Sequence, residues 1–191
     1  MKGVPNHGMD CCCLINSNGP FYGVAPGCKI LPVKCNTVPD LVGLPFMAMS
    51  TINYLQLLNK MAPYVDVILF SFEETHFSKV VIRRINELAT TGGRNSKGVL
   101  MIWAAGNDNS RLKSQISDLP NVAMVGAICS RAYRSHYSNY GSGLRLCAPS
   151  NNSDFPDRDI WQQTDSLPLY SLRSIKPFIK FGGTSGAAAL V

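Results

Sequence analysis

Residues 99–107 read VLMIWAAGN, a continuous apolar run that ends in small and polar residues. Such a run is far too short to cross a bilayer and is typical of a strand that is covered on both faces. Residues 65–70 (VDVILF) and 122–127 (VAMVGA) have a similar character. Because strands that are apolar on both faces belong to parallel sheets, these stretches predict a parallel sheet at the centre of the fold.

Helical patterns alternate with the strands along the chain. Strands are predicted over residues 29–35, 65–70, 99–105, 122–127 and 144–148, and helices over residues 7–15, 48–60 and 78–90. The inner face of the third helix is predicted to consist of Val80, Val81, Ile82, Ile85 and Leu88. Residues 151–180 are interpreted as loops with a hairpin. The alternation predicts an α/β fold of three layers, a mostly parallel β-sheet with helices on both faces.

The composition favours an ordinary globular domain. Of the 191 residues, 46% are hydrophobic and 16% are charged. The net charge of +6 comes from Lys and Arg residues that are dispersed along the chain, so we interpret it as a solvated surface and predict no nucleic acid partner. Seven cysteines, three of them adjacent at 11–13, match no disulfide framework and are interpreted as buried thiols. No membrane span is predicted, and the localisation stays open.

Polar residues follow two of the predicted strands. Asn107 follows the strand at 99–105, and Ser71, Phe72 and Glu73 follow the strand at 65–70. In open parallel sheets, binding sites lie beyond the carboxyl ends of the strands. We therefore expect both strand endings to line one crevice.

Residues 181–191 (FGGTSGAAALV) place Ser185 where a tight turn enters a helix. The unpaired N–H groups of a first helical turn favour charge that develops on a nearby oxygen, so this position suits a nucleophile. The alternative is that Thr184 or Ser185 is only an N-cap. A serine nucleophile also needs a base, a group that orients the base, and donors for the oxyanion. His7, at a predicted helix start with Asn6 as N-cap, is the candidate base.

These stretches resemble the motifs of subtilisin-like serine peptidases. Residues 183–188 (GTSGAA) resemble the nucleophile motif of that family, residues 7–8 the start of its histidine motif, and residues 104–107 (AAGN) its oxyanion motif. Three structural motifs match in the same order, at residues 23–26, 137–141 and 148–150. The resemblance covers the chain from end to end and implies a subtilisin-like fold.

The resemblance also implies a function. It identifies a serine endopeptidase that forms an acyl-enzyme, with Ser185 as nucleophile, His7 as general base and Asn107 as oxyanion donor. The substrate-binding residues that it implies are Ser71, Phe72 and Glu73, in a strand that pairs with an extended protein or peptide substrate. Glu73 stands where the family usually has Gly, which favours a basic side chain near the scissile bond.

The main departure from the family concerns the third residue of the catalytic triad. An Asp on an early strand precedes the His in the family, whereas six residues precede His7 and none of them is acidic. Asp10 lies one turn along the same helix and should not reach the far ring nitrogen of His7. We therefore expect residues 1–191 to be a partial domain, truncated at both ends, without the Asp-bearing strand and most helices after Ser185.

The alternative is a degenerate, catalytically inactive member that acts as a peptide-binding or scaffold domain. Residues that differ from the family's usual ones favour it: Met9, Cys12, Cys13 and Ala189. No cofactor and no metal are expected within these residues, although calcium is frequent in the family. A zinc site is a further alternative, but its donors match no compact zinc motif in their spacing: His7, Cys11, Cys28 and Cys35.

Overall fold

Four parallel strands form the central sheet of the computed structural model, which describes residues 7–18, 22–34, 37–39, 45–47, 49–74, 76–151, 167–170 and 178–191. The helices are α1 (His7–Asn16), α2 (Thr51–Met61), α3 (Lys79–Thr91) and α4 (Gly183–Ala189). The strands are β1 (Thr37–Pro39), β2 (Pro45–Met47), β3 (Val67–Phe70), β4 (Leu100–Ala104), β5 (Val122–Ile128), β6 (Leu144–Pro149), β7 (Leu167–Tyr170) and β8 (Phe178–Phe181). The sheet has the order β3-β4-β5-β6, and β1 with β2, and β7 with β8, form separate antiparallel ribbons.

The central sheet separates two apolar layers, and β4 shows how. Successive side chains of a strand point to opposite faces. Met101 and Trp103 join the core that contains α2 and α3, while Ile102 and Ala104 join the core that contains α4. All four side chains are at most 5% exposed, so helices cover both faces of the sheet. This arrangement confirms the predicted three-layer α/β fold.

Trp103 ties β4 to the chain that leaves β3. Its ring is completely buried and stacks on the ring of Phe70, with centroids 3.7 Å apart. A buried indole N–H needs an acceptor, and here it donates to the carbonyl of Phe72 at 2.9 Å. Because of this bond, the segment that follows β3 stays beside the end of β4.

Ser78 is the N-cap of helix α3, and its hydroxyl accepts from the backbone N–H of Val81. Its buried residues are Val81, Ile85 and Leu88, a stripe with the spacing of one helical face. The prediction that Val80 lies on the inner face is wrong, because that side chain is 58% exposed. A turn of about 100° per residue carries Val80 away from the stripe that starts at Val81.

Helices α1 and α4 form the layer on the other face of the sheet. α4 is buried over most of its length because its residues are small and lie against the sheet. α1 packs against it through Cys11, Leu14 and Ala189. The predicted helix over residues 7–15 is confirmed, whereas its predicted N-cap, Asn6, lies outside the described residues.

The strand predicted over residues 29–35 is wrong in the part that the structure describes. Residues 29–34 form no strand, and Leu31 and Val33 are 52% and 46% exposed. Pro32 supplies no N–H to a ladder, and no described strand pairs with this segment. The predicted hairpin within residues 151–180 is confirmed by β7 and β8. None of the helices built from described residues is long and apolar enough to cross a bilayer.

Candidate active site

The ends of β3 and β4 lie beside the start of α4. The pairing of Phe70 with Trp103 brings the two strand ends side by side. The hydroxyl of Ser185, a buried residue in the first turn of α4, donates to the carbonyl of Ser71 at 2.9 Å. Asn107 lies against the same turn of α4. Three residues that were predicted from distant stretches of the chain therefore lie at one rim of the sheet.

Thr184 fixes the orientation of the Asn107 amide. Asn107 Oδ1 accepts from the backbone N–H of Thr184 at 2.8 Å and from its hydroxyl at 3.1 Å. A backbone N–H can only donate, so these contacts assign Oδ1 and Nδ2 without ambiguity. With Oδ1 engaged by Thr184, Nδ2 is the donor end of the amide, and no described residue accepts a hydrogen bond from it. The amide is therefore held as a donor of the kind that an oxyanion needs.

The Thr184 hydroxyl also binds the loop that carries Asn107. The backbone N–H of Gly106 donates to it at 3.1 Å, and Thr184 is completely buried. Since Gly183 has a φ of 75°, a region that favours glycine, the chain turns sharply before Ser185. This turn places Thr184 and Ser185 against the two different strand ends.

Residues in or next to two of the structural motifs, 137–141 and 148–150, form hydrogen bonds that hold the turn at Gly183. Asn151 Oδ1 accepts from the backbone N–H of Gly183 at 3.0 Å, and the Ser150 hydroxyl donates to the Gly183 carbonyl at 2.8 Å. The hydroxyl of Tyr137 lies 3.1 Å from Ser150 Oγ and 2.8 Å from the Asn151 carbonyl. A Cβ atom on Gly182 would lie 2.0 Å from Asn151 Oδ1, so a larger residue here would displace the Asn151 side chain from Gly183.

His7 opens α1 on the neighbouring layer. It is half-buried, and its ring lies 5.4 Å from that of Phe181. Desolvation lowers the pKa of His7 below 6.5, and the charge of Asp10 opposes this effect in part. The imidazole is therefore neutral at pH 7, as a general base must be. Within the described residues no hydrogen bond joins His7 to Ser185, whose hydroxyl donates to Ser71.

Cys11, one turn after His7, is not a second nucleophile. It is 4% exposed, and desolvation raises the pKa of its thiol to about 11, with the contact to Ser71 acting in the opposite direction. A thiol with this pKa is protonated at neutral pH and reacts slowly. The interpretation of the cysteines as buried thiols is supported for Cys11. It is wrong for Cys28 and Cys147, which are exposed.

In the predicted substrate-binding segment, residues 71–73, the backbone carbonyls of Ser71 and Phe72 make contacts on different sides. The Phe72 carbonyl turns inward to Trp103, whereas the Ser71 carbonyl lies at the rim with Ser185. Glu73 accepts a hydrogen bond from Asn139 Nδ2 at 3.0 Å. The chain bends at Phe72, and these contacts fix the directions of the Ser71 and Phe72 carbonyls.

Metal ligands do not gather at this site. Across the described residues, no group of three or more His, Cys, Asp or Glu side chains comes together in a way that could hold a metal ion. Cys11 and Cys28 take part in no such group, and Cys35, the remaining donor of the zinc alternative, lies outside the described residues.

Sequence reasoning missed two supporting residues, Thr184 and Asn139. Thr184 was considered only as a cap, yet it links Asn107 to the nucleophile turn. Asn139 is 1% exposed, and its Oδ1 accepts from the backbone N–H groups of Asp108 and Ser110. The available signals were their positions within residues 183–188 and 137–141, two of the motifs that carry the resemblance.

Comparison with known proteins agrees with this architecture. The model of the Subtilase family matches residues 1–191, so the chain belongs to this family. A calcium-dependent protease of Trichormus variabilis is 29% identical over 167 residues, which are 78% of this chain and 24% of that protein. An alkaline proteinase of Hapsidospora chrysogena is 43% identical over 58 residues, 30% of this chain and 14% of that protein.

Solved structures show the same fold. Proteases from Pseudoalteromonas arctica superpose with a TM-score of 0.71 and 22% identity, over 97% of this chain and 56% of theirs. A cold adapted subtilisin-like serine proteinase gives a TM-score of 0.63 and 21% identity, over 96% of this chain and 57% of its own. The chain thus spans about a quarter of the calcium-dependent protease and a little over half of these structures.

Proposed function

We propose that this chain supplies the nucleophile, the base and the oxyanion donor of a serine endopeptidase that cleaves protein or peptide substrates through an acyl-enzyme. The single observation that carries the proposal is the link through Thr184, which joins Asn107 and Ser185 at one rim. An N-cap serine needs no amide donor fixed beside it. A nucleophile that generates an oxyanion does.

The reaction begins when the Ser185 hydroxyl turns from the Ser71 carbonyl towards His7. Ser185 Oγ attacks the substrate carbonyl while His7 takes the hydroxyl proton, and the new oxyanion accepts a hydrogen bond from Asn107 Nδ2. The C–N bond then breaks as His7 returns its proton to the leaving amine. Water repeats the sequence on the acyl-enzyme, releases the acid product and restores Ser185.

Substrate positioning falls to the segment at residues 71–73. An extended peptide that pairs with its outer side would add a strand next to Ser71 and place a carbonyl between Ser185 and Asn107. Trp103 holds the inner side of the segment, so the outer side is presented in a fixed direction. No step of the proposal passes through calcium.

A second candidate is a member of the fold that binds peptides without cleaving them. The observation in its favour is that Asp10, the carboxylate whose charge acts on His7, sits on the same helix and one turn away. A catalytic base normally takes its orientation from a third group on another element. Without such a group, peptide binding at residues 71–73 would remain while turnover fell.

The test is covalent labelling of the natural protein that contains these residues by a neutral organophosphonate, followed by peptide mapping. We expect one adduct, on Ser185, that Ser185→Ala abolishes and that the matched control Ser142→Ala, at an exposed position, retains. Folded protein that binds an extended peptide but never labels would support the second candidate. Adducts that persist in Ser185→Ala would contradict the assignment of the nucleophile.

A further inference from the structure

A surface segment, residues 22–28, crosses the C-terminal end of α1, and we name it the strap. The last carbonyl groups of a helix have no donor within the helix, so they need partners from elsewhere. The strap supplies them with three backbone N–H groups. These groups donate at 2.8–3.0 Å to the carbonyls of Leu14, Ile15 and Ser17, and they belong to Val24, Ala25 and Gly23 respectively. The strap is thus hydrogen-bonded along the end of α1.

Asn16 places Cys28, the last residue of the strap, beside one face of α1. Its Oδ1 accepts from the backbone N–H of Gly27 at 2.9 Å, and its Nδ2 donates to the carbonyl of Cys28 at 2.8 Å. Residues four apart in a helix share a face, with Cβ atoms about 5–6 Å apart. Cys12 is four residues before Asn16. The face of α1 that binds the Cys28 backbone is therefore the face that carries Cys12.

A tight turn presents Cys28 at this position. The backbone N–H of Cys28 donates to the Ala25 carbonyl at 3.2 Å, and Gly27 has a φ of 93°. With Pro26 before that glycine, the turn has the features of type II. A Cβ atom on Gly27 would meet nothing within 4 Å, and Cys28 is exposed. The turn therefore has room to bring the sulfur of Cys28 closer to α1.

The three adjacent cysteines of α1 differ in what they face. Cys11 is buried against α4, and Cys13 packs on the same apolar cluster. Cys12 is half-buried and is not part of that cluster, since each residue of a helix is rotated by about 100° from the one before it. Desolvation raises the pKa of the Cys12 thiol, and the charges of Cys13 and Cys28 add to this effect. The influence of Cys28 agrees with its position over Cys12.

We propose that Cys12 and Cys28 form a reversible disulfide that fastens the strap to α1 in the presence of a small-molecule disulfide such as oxidised glutathione. Both thiols are free in the structure, which is the reduced form. The inference does not depend on the proposed peptidase function. It assigns a modification site to two cysteines that the peptidase reaction does not use.

The reaction proceeds by two thiol–disulfide exchanges. The exposed Cys28 thiolate attacks one sulfur of oxidised glutathione, whose S–S bond breaks and releases one glutathione thiolate. The Cys12 thiolate then attacks Cys28 Sγ in the mixed disulfide and releases the second glutathione thiolate. Each cysteine loses its thiol proton, and together they give up the two electrons that reduce one glutathione disulfide to two thiols.

The test uses the natural protein that contains these residues, as the Ser185→Ala variant so that self-cleavage does not interfere. The protein is equilibrated in glutathione buffers, quenched with acid, alkylated at its remaining thiols and mapped by mass spectrometry. We expect a cross-link between the segment at residues 11–13 and Cys28, lighter by two hydrogens than the reduced peptides. Cys12→Ser should abolish this cross-link and leave Cys28 as a mixed disulfide with glutathione. The matched control Cys13→Ser, one residue along the helix, should retain it.

Two further measurements check that the bond fastens the strap. In urea, oxidation should lower the unfolding equilibrium constant by about ten-fold, or about 1.4 kcal/mol, because the cross-link restricts the unfolded chain. Cys12→Ser treated in the same way should show no change. Hydrogen exchange of the Gly23, Val24 and Ala25 amides should slow by about ten-fold on oxidation, while the buried amide of Ile85 in α3 should show no local slowing at low denaturant.

Three results would overturn the proposal. They are a cross-link to Cys28 that persists in Cys12→Ser, mixed disulfides alone in the folded protein, and a strap whose amides exchange equally fast in both forms. Labelling of Ser185 by the organophosphonate is measured under reducing conditions, so its success or failure is independent of each of these results.

Discussion

The two sides of the candidate active site differ in how firmly they are held. On the side of the nucleophile, Asn107, Thr184 and Ser185 are connected by hydrogen bonds to each other or to the end of a strand. On the side of the base, His7 is positioned by packing against Phe181 and by its place on α1. The first side is fixed by hydrogen bonds, whereas the second depends on one imidazole with no orienting group from another element among the described residues.

This difference shows which part of catalysis the described residues can supply by themselves. In subtilisin, loss of triad groups leaves an acceleration of about 10³–10⁴ over water, which comes from the oxyanion hole and from substrate binding. Under the proposed function, the rim formed by Asn107 and Ser185 would make that contribution. Changes at the rim should therefore have larger effects than changes beside His7.

The largest effect is expected from Asn107→Ala. Removal of the fixed amide should slow labelling of Ser185 by about a hundred- to a thousand-fold, the range known for the oxyanion asparagine of subtilisin itself. The rate is measured by intact-mass kinetics with a neutral organophosphonate. Asn121→Ala, just before β5 at the opposite end of the sheet, is the control and should label at the wild-type rate. A loss below about three-fold in Asn107→Ala would mean that this rim does not bind the oxyanion.

An intermediate effect is expected from Thr184→Val, which keeps the shape of the side chain and removes its hydroxyl. One of the two bonds to Asn107 is lost, and the buried N–H of Gly106 loses its acceptor. We expect labelling to slow by roughly ten-fold and the free energy of unfolding to fall by about 1–3 kcal/mol. Thr184→Ser restores the hydroxyl and should recover most of the labelling rate.

Chemical denaturation of the same two variants separates the effects. If Thr184→Val loses stability but labels at the wild-type rate, the threonine supports the fold without orienting the amide. In that case the contrast between the rim and the base would be weaker than the hydrogen bonds indicate.

Much of the rim could be predicted because its signals are local. The apolar run at residues 99–107 marks both a buried strand and the polar residue at its end, so the position of Asn107 follows from the fold class alone. For residues 29–35, the local sequence pattern alone could not decide whether a strand forms. Pairing requires a neighbour, and a sequence pattern around Pro32 does not show whether one lies beside it.

The contacts of the Glu73 side chain could not be predicted from the neighbouring sequence. The resemblance marked Glu73 as unusual in its position, but the bond from Asn139 crosses 66 residues of sequence. Only the fold brings that amide, Gly106 and Asp108 to one place. Long-range polar contacts of this kind decide the charge of the site, and no periodicity in the sequence encodes them.

The smallest effect is expected from Asp10→Asn. The charge of Asp10 raises the pKa of His7 against the larger effect of desolvation. Its removal should therefore shift the fall of the labelling rate at acidic pH to slightly lower pH. In the wild type the midpoint of this change should lie below pH 6.5. The labelling rate should rise with pH, because only neutral imidazole acts as a base. At pH 8, labelling by the variant should stay within about two-fold of wild type. An orienting carboxylate would behave differently, since loss of that group in subtilisin lowers turnover by roughly 3 × 10⁴-fold. A fall of that order in Asp10→Asn would show that α1 carries both the base and its orienting group, and would remove the contrast between the two sides of the site.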